Sequence, residues 1–118
     1  MVAGSLRNVM LAADGAGVLE RPDARTGSAE HPSCGDRVEI DIALDGDEIS
    51  DLRWRARGCP ASLAVAAAAR GALVGASVRD APALLQRRIE SLGGLANHER
   101  HALPLFLSAL RRAAALRD

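Results

Sequence analysis

The chain has no tyrosine, one tryptophan and one phenylalanine in 118 residues, so its core must be built from aliphatic side chains. It also has no lysine: all 15 basic residues are arginine, which excludes Schiff-base chemistry and any other step that needs a lysine amine. A genome rich in G and C would by itself produce that bias. Charge of one sign is missing as well, because 15 acidic residues balance the 15 basic ones. No general attraction to nucleic acid or to an anionic membrane follows from such a balance. The longest apolar run, residues 59–69, is mostly alanine and stops at Arg70, far short of a membrane span. Residues 1–13 hold no charged start, apolar centre and cleavage site in series, so a cytoplasmic setting is expected. There are only two cysteines, Cys34 and Cys59. In a reducing compartment they read as thiols or metal ligands before a disulfide, which the geometry below would still permit. A length of 118 residues predicts one domain with a modest core.

What is present is organised around residues 31–62, which contain both cysteines. Between them Val38, Ile40, Ile42 and Leu44, then Leu52, Trp54 and Ala56, alternate with charged residues. That period of two predicts half-buried strands, and Asp45, Gly46 and Asp47 between the runs predict an antiparallel hairpin. If both even-numbered sets face the core, paired residue numbers must sum to an even value, as for Ile40 with Leu52 or Trp54. A loop of three to five residues is therefore expected, since a slip of one residue would turn every apolar side chain to water. Glu39 and Asp41 would then lie near Arg53 and Arg55 on a solvated outer face, in pairs worth about 0.2 to 1 kcal/mol each.

The flanking segments read in order. Residues 5–13 predict a short helix with Leu6, Val9, Met10 and Ala13 on one face, followed by a loop with an edge strand near residues 25–30. After Cys59, Pro60 opens an alanine-rich helix over residues 61–74 with Gly75 as its stop. A further helix is expected over residues 81–92, with Asp80 as N-cap and Leu84, Leu85 and Ile89 as its buried stripe. Pro104 interrupts a helical pattern that runs on to Arg117, and proline is cheap only in a first turn, so the last helix should begin near Pro104. His98, Glu99, Arg100 and His101 form the turn before it, the first three solvated.

A hairpin returns its end to its beginning, so Cys34 and Cys59 should meet at one end of the sheet. Cys59 falls at a helix N-terminus, where the partial positive charge favours the thiolate. His101 falls at another, where a cationic imidazole is disfavoured and a neutral nitrogen is left to coordinate. Cys34, Asp36, Cys59 and His101 thus offer two sulfurs, a carboxylate and an imidazole, a set that suits zinc or a small iron-sulfur cluster. On chemistry alone, two structural thiols and two surface histidines fit the same residues.

The motifs His31-Pro32-Ser33-Cys34-Gly35-Asp36, Gly58-Cys59-Pro60-Ala61-Ser62, Gly75-Ala76-Ser77 and His101 before the final helix resemble, in order and over nearly the whole chain, the IscU/NifU-type iron-sulfur cluster assembly scaffolds. The resemblance implies an α+β fold of the IscU/SufE-like kind, with about three antiparallel strands packed against four to five helices in a single domain over residues 1–118. It implies Cys34, Asp36 and Cys59 as site residues, with His101 beside them, holding a 2Fe-2S cluster or zinc. It implies a cysteine desulfurase and recipient apo-proteins as partners of a monomer or weak dimer, and a scaffold rather than an enzyme.

The sequence departs from that family in two respects. The third cysteine expected before the last helix is absent: either Ala102 stands in its place after His101, or His101 itself does, with Phe106 matching an aromatic of the zinc-binding SufU branch. The lysine-containing chaperone motif is also replaced, by Leu95-Ala96-Asn97-His98-Glu99. A SufU-like zinc sulfurtransferase, and a relative that kept the fold as a binding module, are the alternatives the departure opens.

Overall fold

In the computed structural model, which describes residues 2, 4–33 and 35–114, three strands form one antiparallel sheet in the order β1 (Arg25–Glu30), β2 (Arg37–Asp45), β3 (Glu48–Arg57). Ile40 pairs with Trp54 and Ile42 with Leu52, which is the parity that burial of the even-numbered set demands. The predicted loop length is corrected. The turn has only two residues, Gly46 and Asp47, with Asp45 paired to Glu48. A register shift between Ala43 and Leu44 leaves Ser50 as an extra residue on β3, so a bulge rather than a longer loop restores the apolar register. The Ser50 hydroxyl donates to the Ala43 carbonyl at 3.1 Å across the bulge.

Among the described residues two helices lie directly on one face of the sheet and two more pack behind them. α2 (Pro60–Leu73) lies on β3, and α4 (Ala102–Ala113) crosses β1 and β2. α1 (Gly4–Ala12) and α3 (Ala81–Ser91) pack on α2, which explains why α2 is mostly alanine: contacts on several sides leave room for little more than a methyl group. Val38, Ile40, Ile42, Leu52 and Trp54 meet Leu73, Leu85, Phe106 and Leu110 in the core. Gly27 in β1 lets α4 ride directly on the strand, since a Cβ there would overlap the Ala109 carbonyl and the Ala113 amide.

Two helix starts differ in detail from expectation. Asp80 precedes α3 but makes no side-chain cap bond; residues 78–80 form a 3₁₀ turn capped instead by the Ser77 hydroxyl, which accepts from Arg79 N–H at 3.2 Å. α4 begins at Ala102, earlier than expected, because Pro104 still falls in the first turn. The first bond of the helix, Leu105 N–H to His101 carbonyl at 3.2 Å, does not require a proline donor.

The outer face is not simply solvated. Asp41 is only 3 % exposed; it accepts from Leu19 N–H at 3.0 Å, from the Thr26 hydroxyl at 2.8 Å and from both terminal nitrogens of Arg55 at 2.9 and 3.0 Å. Residues 15–19 close over it, with Gly15 and Gly17 hydrogen-bonded to the Trp54 main chain on β3 and Arg55 donating to Gly17. Glu99 is buried as well, its carboxylate accepting from Ala96 N–H at 2.9 Å. His98 and Arg100 are exposed, as expected of a turn.

Candidate metal centre

Three short connections meet at the end of the sheet opposite the hairpin turn. The first, from β1 to β2, is closed by His31 N–H to the Asp36 carbonyl at 2.8 Å and Gly35 N–H to the His31 carbonyl at 2.9 Å, and it delivers Asp36 just ahead of β2. The second, from β3 to α2, turns at Gly58, whose φ of +121° is one that only glycine adopts without strain. A Cβ on Gly58 would also overlap the Asp36 carboxylate, so the glycine is what lets the two connections touch. The third is the 3₁₀ turn Asn97–Glu99 leading to His101. Cys59 and His101 occupy the N-cap positions of α2 and α4, and neither side chain caps its own helix.

The side chains converge on Asp36, which is 2 % exposed. Its Oδ1 accepts from Cys59 N–H at 3.0 Å, and its Oδ2 accepts from the Ser62 hydroxyl at 2.9 Å and lies 3.0 Å from His101 Nε2. His101 Nε2 is also 3.4 Å from Cys59 Sγ. A carboxylate oxygen, the sulfur and an imidazole nitrogen therefore all fall within 4.8 Å of one another. Donors bound to one tetrahedral zinc at about 2.0–2.3 Å sit roughly 3.3–3.8 Å apart, so this oxygen, sulfur and nitrogen set suits such an ion in chemistry and lies close to its spacing. An apolar cavity of about 410 Å³ walled by Val2, Met10, Pro60 and Ala61 reaches Cys59 and His101 from the α1 side.

The electrostatics correct one expectation. Burial works to raise the Asp36 pKa, but hydrogen bonds from the Cys59 thiol, His101, the Cys59 amide and Ser62 outweigh it and hold the carboxyl well below the ordinary 3.8. Cys59 moves the other way. Burial and the adjoining Asp36 carboxylate push its thiol above the ordinary 9.0, against the bonds from Ser62 that favour the thiolate. The helix N-terminus thus does not by itself make Cys59 a thiolate: burial, with the anion beside it, reverses the sign. A cation shared with Asp36 would remove that penalty.

Of the four residues singled out in the sequence, Asp36, Cys59 and His101 come together, and Cys34 lies outside the described residues. Two residues of the site were given no role by sequence reasoning. Ser62 stands one turn into α2 and reaches back to Asp36, a position that its place in the Gly58-Cys59-Pro60-Ala61-Ser62 motif could have signalled. His31 lies with its ring centroid 5.0 Å from that of His101.

Residues 8–116 match the family described as NifU-like N terminal domain. The chain belongs to that family. Among relatives of this NifU-like domain, iron-sulfur cluster assembly scaffold protein IscU 1 of Archaeoglobus fulgidus is 32 % identical over 98 residues, which cover 82 % of this chain and 63 % of that protein. The chain thus spans less than two thirds of that relative's length. The zinc-dependent sulfurtransferase SufU of Bacillus subtilis is 35 % identical over 51 residues, 43 % of this chain and 35 % of that protein. In fold, the NifU-like domain is similar to a crystal structure from Fervidobacterium islandicum described as an iron-sulfur cluster assembly scaffold protein for the SUF system. The TM-score is 0.75 at 17 % identity, with 95 % of each chain covered. The three-stranded α+β architecture read from the sequence is the one observed. No helix among the described residues is long and apolar enough to cross a membrane.

Proposed function

We propose that residues 1–118 form one NifU-N-type domain acting as a cytoplasmic iron-sulfur cluster scaffold, which holds a labile 2Fe-2S cluster, or its iron and sulfur, as cargo and passes it to apo-proteins. The observation that carries this reading is the meeting of the Asp36 carboxylate, the Cys59 thiol and His101 Nε2 at one point. Cys34, drawn from the sequence, is the further thiol ligand. Asp36 gives a harder donor than a thiolate, a weaker match for cluster iron that favours release. Where the third thiol is aligned after His101, Ala102 takes its place, fully buried and without a donor. A cysteine desulfurase supplies the sulfur, and the domain works as a monomer or weak dimer. Anaerobic reconstitution with iron and sulfide tests this: charge-transfer absorption in the visible, lost in Cys59→Ala and transferred to an apo-acceptor, is expected. No cluster in the wild type, or an unaltered one in Cys59→Ala, contradicts it.

The same oxygen, sulfur and nitrogen donors favour a second reading, a zinc-bound sulfurtransferase of the kind that the Bacillus subtilis relative is named for. There the acceptor thiolate takes the outer sulfur of a desulfurase persulfide, one S–S bond forming as the other breaks and the donor leaving as thiolate. Stoichiometric zinc in freshly purified protein, with stimulation of a desulfurase, supports it. A zinc-free protein without effect on a desulfurase excludes it.

A further inference from the structure

We propose that His31 is a positioning residue of this site: its ring fixes the plane of His101 so that Nε2 is presented to Cys59 and Asp36, and it is not itself a ligand. The inference rests on the metal-binding reading above.

The chain holds three histidines, and two of them, far apart in sequence, meet edge to face with centroids 5.0 Å apart and an interplanar angle of 64°. His101 needs such a neighbour. Its side chain makes no cap bond to α4, so the helix it begins does not orient it. Its bond to Asp36 is made at Nε2, and a bond at one ring atom still permits the ring to swing about that contact. A metal is bound along the nitrogen lone pair, which lies in the ring plane, so the plane has to be defined as well as the distance. A second ring packed at a steep angle defines it, and aromatic pairs prefer that arrangement.

His31 is tied to the main chain of the residue whose carboxylate His101 meets. Its amide donates to the Asp36 carbonyl at 2.8 Å and its carbonyl accepts from Gly35 at 2.9 Å, so the steering ring and Asp36 ride on one closed turn. Its Nδ1 accepts the Ser33 N–H at 3.3 Å, so this ring nitrogen is engaged with its own turn. His31 lies outside the trio of donors that falls within 4.8 Å, and its contact with that trio is the edge-to-face packing on His101.

His31→Phe keeps an aromatic ring without a nitrogen, and His31→Ala removes the ring. Two measurements separate the roles: titration with cobalt(II), followed by its visible absorption, and the ring ¹⁵N signals of His101 in the metal-free protein. His31→Phe is expected to bind cobalt within two-fold of the wild type with the same bands. His31→Ala is expected to bind about ten-fold more weakly, the size of effect usual for a residue that orients a ligand, and to show broadened or averaged His101 signals without metal. Equal weakening in both variants would make His31 a donor and overturn the proposal, and so would two variants indistinguishable from the wild type. Should the wild type bind no cobalt while the metal-free His101 signals still follow residue 31, the metal reading fails and the positioning role stands.

Discussion

Two buried carboxylates, one just before β2 and one within it, solve the same problem in opposite ways. Asp36 and Asp41 are 2 % and 3 % exposed, and both are held below the ordinary carboxylate range despite burial. Asp41, on the outer face, is closed by an arginine: Arg55 grips both its oxygens, and Thr26 and Leu19 supply the rest. Asp36, at the end of the sheet, has no arginine in its hydrogen-bond shell among the described residues. Its partners are a thiol, an imidazole, a hydroxyl and an amide. Two of those, sulfur and imidazole, are metal ligands that can exchange a shared proton for a cation. A carboxylate paired with a guanidinium already has its cation; one held by hydrogen bonds from ligand-type groups does not, and that is the difference on which the proposed function rests.

The largest difference expected on breaking this comparison is in stability. Asp41→Asn leaves the Arg55 charge without its main partner, and because Arg55 is one third exposed and keeps Glu39, the loss should fall near the low end for a broken buried pair, about 3 kcal/mol. Asp36→Asn removes no partner of a fixed cation and should cost about 1–2 kcal/mol, the price of weakened hydrogen bonds. Urea unfolding of the two variants orders them, and equal losses would erase the distinction.

Gly58→Ala probes the same point from the main chain. It forces a side chain into φ +121° and into the Asp36 carboxylate, so unfolding should show a loss of about 3 kcal/mol together with loss of metal binding. Retained binding would mean that the two connections need not touch.

Proton linkage sharpens the contrast with a smaller signal. Both aspartates titrate below 3.8 in the folded chain, so the stability they add is present above that value and fades as the pH falls through their lower folded values. Cys59 has the opposite sign: folding favours its neutral thiol, an advantage held below 9.0 and lost as the pH rises through the higher folded value. The rate of Cys59 alkylation in metal-free Cys34→Ala protein should therefore show a midpoint above 9.0, falling in Asp36→Asn. A midpoint below 9.0 in the parent would restore the helix N-terminus as the dominant influence. Least affected of all should be Arg21→Ala, which removes an exposed pair with Asp23 and should change stability by less than about 0.5 kcal/mol.

How much of this the sequence disclosed follows from the range of the forces involved. The period-two runs around Ile40 and Trp54 dictated the pairing parity, because burial acts on each residue locally. They did not disclose the Ser50 bulge, since a bulge and a longer loop satisfy parity equally well. Pro60 marked the start of α2 and so placed Cys59 at its N-cap. Asp41 and His31 were misjudged or passed over for a shared reason: each acquires its environment from a segment distant in sequence, residues 15–19 over Asp41 and His101 against His31. The sign of the Cys59 shift failed likewise, because the helix end is visible in the sequence while the burial of the thiol and the carboxylate packed against it are not.

The most direct test of the central claim, that Asp36 with Cys59 and His101 is a metal-holding site and Asp41 is not, is zinc titration by calorimetry of the wild type, Asp36→Asn and Asp41→Asn. One zinc per chain, retained in Asp41→Asn and weakened at least 100-fold in Asp36→Asn, is predicted, a loss of about 3 kcal/mol or more in binding. Equal weakening in both variants, or no zinc bound by the wild type, would contradict it.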